Sequence, residues 1–488
     1  MKKIFIYVIL FAGLFACDLD INNDPSYPSD VSADLIFPSA QNAMATVIGD
    51  QLYNYSGFFA QYYDQMPEAN QYNNEAEYNL DVARTVFNRP YQNLYAGALA
   101  DLQDIFSKTT NTSNLFAAQV LRTFCFQVLV DNLNVVPYTE ALQGSAIPSP
   151  AWDNGQSVYE GVLAELDEAE SALGSELMTL SDLLLSQNMS QWRGFANALR
   201  LRMYLRFIDA NIDAANYTSK VKALVDAGNF FSGDVKYDVF ADEANKRNPW
   251  YSTNRASLAA NHVASYPIIE YLKITNDPRI EYNFERATNT GDFAGELPGS
   301  KQVLTANKNA DFSFMKYYPT KPVYFFTQSE LQFLLAEIYL RFYDDNARAQ
   351  AAYEAAIDAD FSARGMEESP ETMYGTGRAV AWSTATTTAD KLELIYMQKW
   401  VALCYMDHME AWSELRRTDV PELSPHTGAA INADATIYTA GNLIAPMTNA
   451  LGGQTLIKRV PYPQTAIDRN KNTPSPVSSS TAVWWDVK

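Results

Sequence analysis

Position 17 is a cysteine, and the run Leu14-Phe15-Ala16-Cys17 sets a small residue directly before it at the end of an apolar stretch. That arrangement suits a peptidase that cleaves ahead of a lipid-modified cysteine, so the chemistry expected at Cys17 is acylation. Other reactive constellations do not appear. The chain holds no G-x-S-x-G elbow, no H-E-x-x-H helix and no paired-cysteine metal site. His262, His408 and His426 are scattered without ligand spacing, and Cys125 and Cys404 each sit in a stretch that reads as apolar helix, as buried free thiols do. No catalytic residue, metal site or cofactor is assigned. Glu165, Asp167 and Glu168 crowd together, but on the polar face of a helix, which is the pattern of solvated surface. A glycosidase needs two carboxylates about 5–10 Å apart; no motif marks such a pair among the 57 acids.

Aromatic rings set among polar residues are the stronger lead. A sugar ring has an apolar C–H face that stacks on Trp or Tyr, while Asn, Asp and Gln take its hydroxyls. Aromatics make up 13% of the chain, and many fall in loop-like segments. Gln71-Tyr72-Asn73-Asn74 with Tyr78 is one such mixture, and Trp250-Tyr251 with Asn254-Arg255 is a second. Phe293, Phe314 and Tyr317 fall in a third, between Asp292 and Tyr318, and Trp382 with Tyr374 in a fourth. Tyr72, Asn73, Tyr78, Trp250, Tyr251, Phe293, Phe314, Tyr317 and Trp382 are the candidate ligand-binding residues, each with a competing role in packing or at a partner interface.

These residues must be positioned by helices. Lys2 and Lys3 precede an apolar run, Ile4 to Phe15, that is too short for a bilayer span of roughly 20 residues, so residues 1–16 read as a lipoprotein signal peptide. Residues 17–28 are polar, acidic and proline-containing, an acylated N-terminal tether. Residues 29–488 read as a single domain, long enough for a large core. Tyr159, Val162, Leu163, Leu166, Ala169 and Leu173 share one helical face, as do Leu331, Leu334, Leu335, Ile338, Tyr339 and Phe342. The alternation of Leu199 to Phe207 fits a strand, but Phe195, Ala196, Leu199, Met203 and Phe207 together favour a helix. Strand-like material is sparse, for example Val323 to Phe326. The pattern reads as mainly helical, with helix pairs, large irregular insertions and little strand; Ala347, Tyr353, Ala356 and Ile357 have the second-helix spacing of a tetratricopeptide unit, without a strict 34-residue period. The net charge is −21, and −23 once Lys2 and Lys3 are removed, which excludes nucleic acid as a partner and argues against flat docking on an anionic membrane.

Several blocks resemble the SusD/RagB family of nutrient-binding outer-membrane lipoproteins. Asp131 to Ala141 is similar to its D-x-aromatic-G-D-V-P-Y-x-E-A segment, with Asn134 and Val135 in place of the glycine and the acid. Trp192 to Arg206 resembles its W-x-x-F-A-N-x-L-x-L-R helix, Asn276-Asp277-Pro278-Arg279 its N-D-P-R turn, and Glu330 to Glu337 its E-x-x-F-L-x-A-E helix. Gln398-Lys399-Trp400, then Glu410-Ala411-Trp412 and Arg416-Arg417-Thr418 with Pro421, resemble its most specific block. The charged members of these blocks, Glu337, Arg416 and Arg417, are read as buried partners, Asp277 as a turn-fixing residue, and Trp400 and Trp412 as core. The resemblance implies an all-α fold of tetratricopeptide-like helix pairs with long loop insertions that carry the ligand site, in a cell-surface lipoprotein of the outer membrane of a Gram-negative bacterium, held there by its acyl anchor. It implies capture of a glycan or an oligopeptide and delivery to a SusC/RagA-like TonB-dependent transporter, without catalysis. A surface glycoside hydrolase and a tetratricopeptide scaffold that binds only proteins are the alternatives.

Overall fold

Apolar residues three and four apart bring sequence-adjacent helices together in pairs. The computed structural model describes residues 31–82, 84–257 and 261–488. Cys17, the signal segment 1–16 and the tether 17–28 lie outside the described residues. Helix α1 (Ala33–Gly49) leads into α2 (Gln51–Phe59). Four pairs follow: α3 (Thr112–Leu133) with α4 (Gly155–Ser171), α5 (Met189–Asp209) with α6 (Ala214–Ala227), α7 (Gln328–Phe342) with α8 (Asn346–Arg364), and α9 (Thr388–Leu403) with α10 (His408–Thr418). Capping explains where these helices begin. Asn111, Asn154, Asn188, Thr327, Asp345, Thr387 and Asp407 each accept a hydrogen bond from a backbone N–H of the following first turn. Among the described residues, strands are confined to short antiparallel ribbons: β1 (Tyr63–Gln65) with β5 (His262–Ala264), β2 (Val135–Val136) with β3 (Asp153–Asn154), and β4 (Val235–Tyr237) with β6 (Val323–Phe326). The fold is all-α with tetratricopeptide-like pairs, as the resemblance implies.

One continuous apolar core runs from Ile36 to Tyr462. Helix α3 is long and apolar enough to cross a bilayer, yet 89% of its most apolar window is buried within the protein, so it is the central core helix. Through this core runs a spine of charge. Arg202 on α5 grips Glu330 on α7 bidentately at 3.0 and 2.7 Å. Arg206, one turn on, meets Asp131 of α3 at 2.5 Å and Glu410 of α10 at 2.9 Å. Arg417 of α10 joins Glu337 at 2.7 Å, Glu414 at 2.7 Å and Asp209 at 2.6 Å. Arg279 pairs with Asp277 and with Asp360 of α8. Each of these cations is buried, so removing one partner would strand a charge away from water. Arg416 differs from the expectation of a charge partner: its guanidinium is spent on the carbonyls of Trp412, Asp131 and Lys458 and on the Ser413 hydroxyl.

Three sequence readings are refined. Glu165 is not free surface, because it accepts hydrogen bonds from Tyr138, Arg122 and Gln119. Asp167 pairs with Arg200 at 2.8 Å. Asn134 takes φ 66, the left-handed half of conformational space that a glycine would enter freely, and its Oδ1 accepts from Trp484 N at 2.7 Å. Cys125 and Cys404 are buried free thiols, and Trp400 and Trp412 are core.

Candidate functional site

The loops of one region converge on a layer of rings. Gly57 on α2 makes room for it: a Cβ there would lie 2.3 Å from the Tyr63 ring. Tyr63 of β1 therefore packs close against α2, with its hydroxyl donating to the carbonyls of Tyr53 and Asn54. The Asn54 side chain then organises two rings. Its Oδ1 accepts from Trp250 Nε1 at 3.2 Å and faces His262 Nε2 at 2.7 Å. Since that oxygen only accepts, His262 carries its proton on Nε2 and leaves Nδ1 without a partner. Burial, aided by nearby Arg255, pushes the His262 pKa well below the ordinary histidine range, so the ring is neutral.

Around this anchor the structure gathers Tyr72, Trp250, Phe314 and Tyr317. The Tyr72 ring lies 4.9 Å from His262, and its hydroxyl donates to Asn254 Oδ1. Trp250 is 5.1 Å from His262 and 4.5 Å from Tyr317. The Arg255 guanidinium stands 5.9 Å from both the Trp250 and the Phe314 ring, and is held by the Met315 carbonyl at 2.6 Å. Tyr72, Phe314 and Tyr317 are half-buried, whereas Trp250 is 0% exposed and backs them from within.

Tyr317 continues the layer into a cleft. Its ring is 5.6 Å from Tyr405, which sits in the turn between α9 and α10 at φ 77. A bulky residue seldom adopts that conformation. His408 holds it there: its Nε2 accepts from Tyr405 N at 3.0 Å, so Nδ1 carries the proton and donates to the Tyr53 carbonyl. The cleft has a volume of about 240 Å³ and is lined by Tyr282, Tyr318, Tyr324 and Tyr405 with Lys321 and Arg364. Asn248 fixes the turn that carries Tyr318 and Lys321, donating to the Lys321 carbonyl at 2.8 Å from its side chain and to Pro319 O at 2.7 Å from its backbone. Tyr318 is 59% exposed and offers a ring at the mouth. Among the described residues, no Asp or Glu lines the cleft.

The other candidates are placed elsewhere. Tyr78, Phe293 and Trp382 are buried, as is Trp250, so none of these four presents a ring face to solvent. Tyr78 packs on Phe59. Phe293 lies under Arg286, 4.5 Å from the ring centre. Trp382 packs on Tyr353 of α8 and donates to Asn346. Asn73 is half-buried and reached by Lys301 Nζ at 3.4 Å, and Tyr251 is half-buried near Arg247. Sequence reading missed Tyr282, Lys321, Tyr324 and Tyr405. They come from a short helix, a turn, a strand and an interhelical turn, and share no local pattern. The one signal available was an aromatic directly after the buried Cys404, between two helices.

A larger cleft of about 680 Å³ opens at the end of α10. Its aromatic floor is closed to stacking, because the Arg416 guanidinium covers Trp412 at 3.7 Å and Phe59 is 2% exposed. The tyrosine cleft is therefore the better candidate for a ring-shaped ligand.

Comparison with known proteins places these features in a wider set. A SusD-like family described as "Starch-binding associating with outer membrane" matches residues 25–440. A solved SusD homologue from Bacteroides uniformis is 22% identical, covering 94% of this chain and 100% of its own, with a TM-score of 0.70. A chitin-binding SusD homologue from Flavobacterium johnsoniae is 21% identical over 93% of this chain and 98% of its own, with a TM-score of 0.74. A SusD homologue from Bacteroides ovatus is 22% identical over 94% and 100%, with a TM-score of 0.73. No curated protein matches this chain.

Proposed function

The chain belongs to the SusD-like family, and on that premise we propose that it is a non-catalytic glycan-binding protein displayed on the outer membrane. The observation that carries this reading is the tyrosine cleft: four phenol rings around a space of about 240 Å³, continuous through Tyr317 with a second aromatic layer. That volume lies below the roughly 300–1,000 Å³ of sites that engulf a whole small molecule. It suits one sugar ring at the end of a longer chain, with Phe314 and Tyr72 taking further units along the surface. Affinity would come from ring stacking and hydroxyl hydrogen bonds, with no proton transfer. Among the described residues the cleft lining holds no carboxylate, whereas a two-carboxylate hydrolase needs a pair of them. A chitin-binding protein among the solved structures of this fold fits the glycan reading, which we prefer to an oligopeptide ligand.

In this proposal Cys17 carries the acyl chains, residues 17–28 are the tether, and residues 29–488 act as one body that hands its ligand to a SusC-like TonB-dependent transporter. A protein lacking residues 1–16 and carrying Cys17→Ser tests the core of it, applied to parallel panels of glycans and oligopeptides. Retention of glycans with no release of reducing ends is expected. Peptide-only retention, or hydrolysis of the glycan, would contradict it.

A further inference from the structure

Lys321 is unlike the cations that line the core of this protein. Arg202, Arg206, Arg279, Arg364, Arg417 and Lys399 all meet carboxylates, and Arg416 is spent on carbonyls. Among the described residues, the Lys321 Nζ meets neither. Its surroundings are rings instead: Tyr405 at 5.1 Å, Tyr324 at 5.5 Å and Tyr317 at 5.6 Å from ring centre to nitrogen. Those faces favour an ammonium. Two cations oppose it, Arg364 of α8 and Lys236 of β4, while Asp360 of α8 and the Cys404 thiol from the turn before α10 favour it. Tyr282, from the helix Arg279–Asn283, lines the cleft beside it. Arg364 cannot release its donors, being committed to Asp360, Asn283 and the carbonyls of Ala402 and Cys404. Burial first, then Arg364, pushes the Lys321 amine down to about 7.

Resting on the glycan-binding reading above, we propose that this cleft takes an acidic sugar, whose carboxylate pairs with the Lys321 ammonium while Tyr282 and Tyr318 cover the ring. An anion supplies the one partner the site lacks, and it would do so away from bulk water, where a charge pair discriminates strongly. A neutral sugar would leave the amine as it is. The pH dependence follows from the amine. Below about 7 the free protein is already protonated and affinity is level. Above it, binding must first take up a proton, so affinity for the acid falls by up to about tenfold per pH unit until the amine of the complex itself titrates. Neutral ligands feel no such change.

The test titrates wild type, Lys321→Met and Lys321→Arg with oligogalacturonates, glucuronate and mannuronate oligomers, and the same oligomers methyl-esterified. At least one acidic oligomer should bind wild type about tenfold or more tighter than its ester at pH 6, and lose that preference by pH 9. Lys321→Met should bind acid and ester alike with a melting temperature equal to or above wild type, because a cation that its site disfavours has been removed. Lys321→Arg should keep the preference at pH 9. Equal binding of acid and ester to wild type overturns the proposal and leaves the glycan reading standing. Capture of oligopeptides by their terminal carboxylate, with no glycan bound, overturns both.

Discussion

Tyr405 and Trp250 show the two ways a ring serves this site. Tyr405 is held at φ 77 by His408 and shapes the cleft wall, whereas Trp250 is wholly buried and props the half-exposed rings from behind. Trp250→Ala should therefore cost about 3–5 kcal/mol of stability and lower binding only through disorder of the rings above it. A urea titration checks the first part, and an unchanged midpoint would show that the ring is not structural. Polar neighbours mark Tyr72, Phe314 and Tyr317 as loop aromatics in the sequence, and all three are half-buried in the fold. The sequence could not tell which rings turn inward. Trp250 has polar neighbours too, but Pro249 and the Asn248 cap start a helical turn that points it at Asn54, almost 200 positions earlier. Lys321 and Tyr405 meet across more than 80 positions with no shared motif. Such long-range encounters leave no local trace.

At the level of elements, the helix pairs are fastened by charge as well as by apolar faces. The blocks that identify the family are largely this spine, so their charged residues report architecture and not ligand. The nine residues Leu199 to Phe207 alternate like a strand because α5 is buried on every side, and its arginines point at partners instead of solvent. Periodicity weakens wherever a helix has no wet face. Arg417→Met should destabilise the fold by about 3–5 kcal/mol, since it leaves Glu337 and Glu414 facing each other without their shared cation. The same pair sets an acid limit. Burial disfavours the charged form of Glu337, but Arg417 and Arg341 outweigh it and hold its pKa at about 2. With a folded pKa below the unfolded one, its contribution is present above about pH 4.3 and is lost as pH falls towards 2. Glu337→Gln should lose stability at pH 7 and show a shallower acid transition in a melt series. A variant as stable as wild type at pH 7 would contradict this account of the spine.

Across the whole molecule, an acidic body carries carboxyls whose burial outweighs their partners. Asp64 accepts from Gly299 N at 2.7 Å and lies near Glu296, which accepts from Ser300. Burial is the largest cause in both cases, raising Asp64 well above its ordinary range and Glu296 to about 7. The folded protein thus keeps protons that the unfolded chain releases, and stability should fall as pH rises from about 4 through 7. Glu296→Gln should remove part of that slope, on the order of 1–3 kcal/mol between pH 5 and pH 8. An unaltered slope in paired melts would show that Glu296 is ionised in the fold. Asp64 stands between Tyr63 and Gln65 of β1, the strand paired with His262 in β5, so this carboxyl pair anchors the Gly299 loop beside the ring layer. Whether those rings bind sugar is the central question, and Tyr318, exposed at the mouth of the cleft, answers it most directly. Calorimetric titration of the soluble protein against glycan oligomers should give saturable binding that Tyr318→Ala weakens by about tenfold or more, with the melting temperature unchanged. Glycan binding that is indifferent to Tyr318→Ala, or no glycan binding while oligopeptides bind, would contradict the assignment.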